Sequence, residues 1–209
     1  MKRTLHINEG FEFSFIAYTP DELTPKMPLV IQLHGAGERG DGDSELGLVE
    51  KHGLPNYLKA EPRKDCIMIF PQCPKDTFWA ARVESVLRFI DQMIAKYNAD
   101  EDRVYLTGLS MGGFGTWFTA MAAPHKFAAI VPICGGGMAW NAGVLCMPTW
   151  AFHGTADTAV NVFHSDDMVE GMRRAGRNVK YTRLDGVGHD VWVQAYNREL
   201  VDWLLEQKK

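Results

Sequence analysis

The pentapeptide GLSMG at residues 108–112 decides the fold because of the segments on either side of it. Residues 103–107 are apolar and β-branched and predict a buried strand, whereas residues 113–122 predict a helix. A G-x-S-x-G motif at a strand-to-helix junction forms a sharp turn that exposes the serine hydroxyl, here that of Ser110. Glycine is required on both sides of the serine because a Cβ would collide with the adjacent strand and helix. The positive helix N-terminus also faces the serine, so the pattern predicts a nucleophilic Ser110.

Strand-like and helical segments alternate along the rest of the chain. Residues 11–18 partly alternate between polar and apolar side chains, which is typical of an antiparallel edge strand. The later apolar runs are continuous, as in parallel strands buried on both faces. The predicted strands cover residues 28–33, 66–70, 103–107, 128–133, 148–152 and 179–184, and the predicted helices cover residues 80–97, 111–123, 165–176 and 191–207. This order predicts a single α/β domain over residues 1–209, with a mostly parallel central sheet and helices on both faces.

Composition and net charge limit which binding partners and which cellular compartment are expected for this protein. A net charge of −4 and a pI near 6.0 give no electrostatic reason to expect nucleic acid or an anionic membrane as partner. No apolar run approaches the ~20 residues of a membrane span, and residues 4–9 are too polar for a signal peptide. The four cysteines lack zinc spacing and lie in or beside apolar runs: Cys66, Cys73, Cys134 and Cys146. We interpret them as reduced core residues and predict a cytoplasmic protein.

A serine hydroxyl is a weak nucleophile near neutral pH and needs a general base. In hydrolases with this turn, an acidic residue follows the serine in the chain and a histidine follows the acid. Asp157 ends the segment FHGTAD at residues 152–157, after a predicted strand, and His189 ends GVGH at residues 186–189, after the last predicted strand. Such ends meet at one edge of a parallel sheet. We therefore predict that His189 accepts the Ser110 proton and that Asp157 orients the histidine.

Other histidines and acids compete for these two roles. His125 and His164 fall on the surfaces of predicted helices, where a solvated histidine is the usual explanation. His153 precedes the predicted acid and is expected to brace its loop. Asp185 and Asp190 are alternative acids, although both also fit as turn or cap residues.

The anionic intermediate of acyl transfer needs backbone N–H donors. One comes from the residue after the nucleophile, here Met111, and the other from a loop after an earlier strand. The glycine-rich segment LHGAGERG at residues 33–40 is that loop, with the amide of Ala36 as first choice and that of Gly37 as second. Neither of the common phosphate-binding glycine patterns can be written in it.

Four motifs in this order resemble those of the α/β-hydrolase superfamily: residues 33–40 (LHGAGERG), 108–113 (GLSMGG), 153–157 (HGTAD) and 188–192 (GHDVW). The closer resemblance is to carboxylesterase/phospholipase and dienelactone-hydrolase-like esterases, including peptidase relatives of the prolyl oligopeptidase type. The resemblance implies the α/β-hydrolase fold, a triad and an oxyanion hole. Too little length remains between the predicted strands for the helical cap of many relatives, so we expect no substantial cap domain.

Carried over residue by residue, the resemblance implies a triad of Ser110, Asp157 and His189 and an oxyanion hole formed by Ala36 and Met111. These positions coincide with those predicted from the residues themselves.

Tryptophans near the predicted strand ends are candidates for the substrate pocket. Trp79 and Trp192 are expected to line an acyl or aromatic pocket, and Trp140 is a weaker candidate. Tryptophan is also common in ordinary cores. Residues 40–45 (GDGDSE) faintly resemble a calcium loop but lack its final glutamate, so they predict a solvated loop and no metal site.

These features predict a cofactor-independent serine hydrolase that cleaves small carboxylic esters through an acyl-enzyme. The short loops predict an open site, which favours short-chain or aromatic acyl groups over long ones. Thioesterase, lysophospholipase-type and peptidase activities are the alternatives. A non-catalytic binding protein of the same fold is disfavoured because binding alone does not require all of the predicted catalytic groups.

Overall fold

A computed structural model describes the whole chain, residues 1–209. Eight strands form one sheet: β1 (Lys2–His6), β2 (Phe15–Thr19), β3 (Leu29–Leu33), β4 (Ile67–Pro71), β5 (Val104–Leu109), β6 (Ala129–Ile133), β7 (Thr149–Gly154) and β8 (Val179–Leu184). They lie side by side in the order β1-β2-β4-β3-β5-β6-β7-β8. β2 pairs antiparallel with β1 and with β4, and all other neighbours are parallel. The predicted mostly parallel sheet is confirmed.

Six helices cover the sheet: α1 (Leu54–Ala60), α2 (Val83–Tyr97), α3 (Met111–Ala122), α4 (Phe163–Arg174), α5 (Trp192–Ala195) and α6 (Arg198–Glu206). The apolar sides of α2, α3 and α4 pack on one face of the sheet. Those of α1, α5 and α6 pack on the other face. Adjacent residues of β3 alternate between these two cores, because successive strand side chains point to opposite faces. This two-sided burial explains the continuous apolar runs in the sequence.

The predicted antiparallel edge strand is wrong in its position. Its counterpart β2 lies second in the sheet and is almost entirely buried, and the edge is β1. β1 has the sequence KRTLH, which carries neither an apolar run nor a clear alternation. Its residues are largely exposed, so this strand does not need the apolar side chains by which a buried strand is recognised.

Two further expectations differ from the structure. The predicted helix over residues 191–207 is two helices, since Asn197 has extended backbone and its side chain caps α6 by accepting from Leu200 N. All four cysteines are free, but Cys146 is exposed and not a core residue. It lies in the connection before β7, where its thiol donates to the Pro124 carbonyl at 3.2 Å.

The connections between strands contain short helices and turns and no separate cap domain. The carboxyl ends of β3, β5, β7 and β8 lie at one edge of the sheet and carry the loops that contain the predicted site residues. None of the helices combines the length and the apolar character that crossing a membrane requires.

Candidate active site

Ser110 occupies the turn between β5 and α3 with φ 53° and ψ −117°. A positive φ strains a residue with a Cβ by about 1–3 kcal/mol, so the surrounding packing has to hold it. The Ser110 amide donates to Ile133 O at 2.9 Å. A Cβ at Gly112 would overlap the carbonyl of Leu33, and one at Gly108 would overlap the carbonyl of Gly112. The two glycines thus let the turn sit against β3, which confirms the packing reason predicted for them.

A continuous hydrogen-bond chain links the predicted nucleophile, base and acid. His189 Nε2 lies 2.9 Å from Ser110 Oγ, and His189 Nδ1 lies 2.7 Å from Asp157 Oδ2. Since a carboxylate only accepts, Nδ1–H donates to Asp157 and Nε2 is free to accept the serine proton. The structure therefore brings these three predicted residues together.

The Asp157 side chain is fully buried and held at both oxygens. Oδ1 accepts from the amides of Ala159 and Val160, both at 2.9 Å, while Oδ2 faces His189. Burial alone would raise the pKa of Asp157. The hydrogen bonds from His189 and the two amides outweigh burial and hold this pKa below its ordinary value. The carboxylate therefore stays ionised opposite the histidine.

The rival residues lie elsewhere or serve the same loop. Asp185 is exposed and accepts from Thr155 Oγ1 at 3.0 Å. His125 is exposed in the turn after α3 and not on a helix. His164 is exposed at the start of α4. His153 is buried beside Asp157, at the loop that it was predicted to brace.

The predicted oxyanion loop passes directly beside the nucleophile. A Cβ built on Gly35 would lie 3.7 Å from Ser110 Cβ. Ala36 and Gly37 open the single turn Ala36–Glu38, and Met111 opens α3, so their amides have no acceptor within these helices. No backbone acceptor outside these helices binds them. Free amides from two different loops beside one serine hydroxyl are the arrangement that an oxyanion hole requires.

Buried side chains beneath this loop fix its shape. His34 Nε2 accepts from the Cys73 amide at 2.9 Å, so its Nδ1–H donates to Gly35 O at 2.6 Å. Burial lowers the pKa of His34 to about 4, which keeps the ring neutral. Trp79 Nε1 donates to His34 O at 3.0 Å. Trp79 is fully buried, so the prediction that it lines the substrate pocket is wrong; its indole supports the loop instead.

The neutral His34 makes stability depend on pH. In the unfolded chain the histidine protonates near its ordinary pKa of 6.5, whereas the folded chain resists protonation down to about 4. Its contribution is therefore complete above pH 6.5 and is lost as the pH falls toward 4. His34→Gln can still accept from Cys73 but does not titrate. On acidification from about pH 7.5 to about pH 5, we expect wild type to lose about 2 kcal/mol more unfolding free energy than this variant.

Urea unfolding at the two pH values measures this difference. Equal losses for wild type and His34→Gln would contradict the neutral, buried state of His34.

Trp192 lies beside His189, the predicted base. Its ring makes an edge contact with His189 at a centroid distance of 5.2 Å and packs against His52 at 5.3 Å. Trp192 and His52, together with Asn56 and Glu61, line a cavity of about 330 Å³ with polar and apolar walls. Trp140, by contrast, is 83 % exposed and lines neither this cavity nor the one beside Ser110. A substrate contact by Trp192 stays a prediction.

An apolar cavity of about 560 Å³ opens directly at Ser110. Its wall includes Phe78, Phe114, Phe118 and Val160, and His164 lies at its polar edge against Phe114. The sequence predictions missed these residues. A signal was present, since Phe114 and Phe118 follow Ser110 at spacings of four and so share its face of α3.

One cluster of ligand-type atoms includes two of the catalytic candidates. Cys134 Sγ, an Asp157 oxygen and a His189 nitrogen all lie within 4.8 Å of one another. Burial raises the pKa of Cys134, so the sulfur is a thiol and not the thiolate that metals prefer. In the loop that resembles a calcium site, the Asp41 carboxylate already accepts from Asp43 N, Ser44 Oγ and Glu45 N. Donors from the loop itself therefore satisfy the hydrogen-bonding capacity of this carboxylate.

Comparisons with known proteins identify the family of this chain and its relatives. The family model described as phospholipase/carboxylesterase matches residues 75–198. A thermostable esterase of known crystal structure is 32 % identical, with a TM-score of 0.83 over 100 % of this chain and 63 % of its own. The bifunctional acetylxylan esterase/xylanase of Neocallimastix patriciarum is 30 % identical over 75 % of this chain and 23 % of its own length. Feruloyl esterase B of Neurospora crassa is 30 % identical over 60 % of this chain and 45 % of its own.

The fold and the match define an α/β-hydrolase. The chain belongs to the phospholipase/carboxylesterase family. It spans between about a quarter and half of the length of the two curated relatives.

Proposed function

We propose that the chain hydrolyses carboxylic esters through an acyl-enzyme on Ser110. The observation that carries this proposal is the hydrogen-bond chain from Ser110 Oγ through His189 to a buried, ionised Asp157, at 2.9 and 2.7 Å. A binding protein would have no need of a strained serine aligned with a base and an acid. The esterase names of the relatives support the same chemistry.

Each step uses groups already in place. His189 Nε2 takes the Ser110 proton while Oγ attacks the ester carbonyl, and the amides of Ala36 and Met111 stabilise the oxyanion. Collapse breaks the bond to the alcohol, which leaves with the proton held by His189. Water then repeats the sequence, with His189 as base, and releases the acid and free Ser110. Asp157 stabilises the imidazolium in both halves.

The two cavities suggest how an ester is oriented. The leaving oxygen has to lie near His189 Nε2 to receive its proton, which places the alcohol toward Trp192 and His52. The acyl group then extends from Ser110 into the apolar cavity, whose walls include Phe114 and Phe118. Its volume and aromatic lining suit an aromatic acyl group, and a relative named feruloyl esterase acts on an ester of that kind.

Steady-state kinetics on nitrophenyl esters test the function and the acyl site together. Aromatic acyl esters should have a higher kcat/KM than decanoate, measured below micelle formation. Phe114→Ala removes an aromatic wall and should lower kcat/KM for the aromatic ester about ten-fold while changing acetate little. Trp140→Ala, which removes an exposed ring, is the matched control.

No hydrolysis of any ester in the panel would contradict the proposed function. Equal losses for aromatic and acetate esters in Phe114→Ala would instead contradict the acyl site alone. Faster cleavage of a peptidyl substrate than of its matched ester would favour the peptidase alternative.

A further inference from the structure

His153 is a buried titratable group that the ester-hydrolysis steps do not use. It lies near the end of β7 and is fully buried. Its Nε2 is 3.0 Å from Val160 O and 3.3 Å from Asp157 Oδ2, and its Nδ1 is 2.7 Å from Ser165 Oγ. The ring therefore connects the catalytic acid to the first turn of α4.

The hydrogen-bond partners of His153 fix the protonation state of its ring. Both neighbours of His153 Nε2 are acceptors, so Nε2 carries a proton. Burial lowers the pKa of His153, which leaves the ring neutral near neutral pH and Nδ1 without a proton. Ser165 has one hydroxyl proton and two acceptors, Gly135 O at 2.9 Å and His153 Nδ1 at 2.7 Å. Donation to Nδ1 satisfies the ring and locks the Nε2–H tautomer.

This arrangement places a fourth N–H group at Asp157. Oδ1 accepts from two backbone amides and Oδ2 accepts from His189, while His153 Nε2, which donates to Val160 O at 3.0 Å, faces Oδ2 at 3.3 Å. The third titratable group at this carboxylate is Cys134, whose buried thiol is uncharged. Without His153, only His189 would present an N–H group to Oδ2. The carboxylate would then be less firmly oriented, and more of its negative charge would act on the catalytic histidine.

We propose that His153, held in its Nε2–H tautomer by Ser165, is a positioning residue whose Nε2–H binds the Val160 carbonyl and faces Asp157 Oδ2, and so holds this carboxylate against His189. The proposal rests on the proposed ester hydrolysis for its kinetic consequences. The tautomer of His153 can be measured whether or not the protein hydrolyses esters.

The kinetic test compares His153→Phe with His153→Gln. Phenylalanine fills the space without an N–H and should lower kcat about 10-fold, because the buried carboxylate loses one of the N–H groups that face it, with KM little changed. The acid limb of the kcat/KM pH profile should also move to higher pH, because the less-neutralised carboxylate makes the His189 proton harder to remove. Glutamine places an amide donor near the same point and should restore most of kcat.

The structural test uses nitrogen NMR of histidine-labelled wild-type protein. His153 should show a neutral Nε2–H ring near neutral pH, and Ser165→Ala should release the second tautomer. An Nδ1–H ring in wild type would overturn the proposal, as would a folded His153→Phe with wild-type kcat and pH profile. If His153→Phe does not fold, His153→Asn replaces it, since asparagine is too short to reach Asp157. Equal rates for His153→Asn and His153→Gln would then overturn the proposal.

The two proposals fail in different ways. A wild-type protein that hydrolyses no ester would contradict the proposed function, whereas the nitrogen spectrum would still report whether His153 donates toward Asp157.

Discussion

Ser110→Ala should abolish ester turnover, with a loss on the order of 10⁶ in kcat. The Oγ that forms the acyl-enzyme is removed, and nothing else beside His189 Nε2 can replace it. The backbone should not change, since alanine keeps the Cβ that already tolerates φ 53° at this turn. Kinetics on a nitrophenyl ester, together with circular dichroism and thermal unfolding, measure both statements.

Ser44→Ala is the matched control, because it removes a hydroxyl from an exposed loop outside the site. It should keep wild-type activity. A purified Ser110→Ala protein that retained more than a few per cent of the wild-type rate would show that Ser110 is not the nucleophile.

Asp157→Asn should lower kcat by about 10⁴ through an inverted histidine tautomer. The two amides that donate to Oδ1 select the carbonyl oxygen of the new side chain for that position. Its NH₂ group then takes the place of Oδ2 and donates to His189 Nδ1. The histidine proton moves to Nε2, where it blocks acceptance of the Ser110 proton.

Asp185→Asn tests the rival acid with the same chemical change. Its side chain binds Thr155 on an exposed turn, so its rate should equal that of wild type. The assignment of Asp157 would be wrong if Asp185→Asn lost activity and Asp157→Asn kept it.

The parts of the fold that the sequence predicted are those with a local signal. The continuous apolar runs arise because β3, β5 and β6 are buried on both faces. The glycines around Ser110 are visible because no larger residue fits between α3 and the end of β3. The predicted serine, acid and histidine each follow a strand, and the structure places the loops after these strands at one edge of the sheet. The positions of the three residues in the sequence therefore sufficed to predict that they lie close together.

What the sequence did not predict depends on contacts between distant segments. β1 is a polar edge strand whose register is set by β2, and its own residues carry no pattern. Trp79 follows a strand end, as a pocket residue would, but its indole finds an acceptor beneath the oxyanion loop at His34 O. Neighbouring residues in the sequence do not show that Trp79 is buried and that Trp140 is exposed.

The role of His153 illustrates the same limit. Its position four residues before Asp157 predicted that it braces the acid loop, and the structure confirms that placement. The partner that locks its tautomer, Ser165, belongs to α4 and approaches only through the packing of that helix on β7. Sequence spacing therefore predicted the location of this residue but not its hydrogen bonds.

Reaction with a fluorophosphonate, followed by mass spectrometry of the digested protein, tests the nucleophile most directly. The serine oxygen displaces fluoride and forms a stable bond to phosphorus, with His189 as the base that accepts the proton. We expect one adduct, on Ser110, that is absent from Ser110→Ala and forms far more slowly in His189→Ala. An adduct on another residue, or equal labelling of wild type and Ser110→Ala, would contradict the assignment of Ser110 as an activated nucleophile.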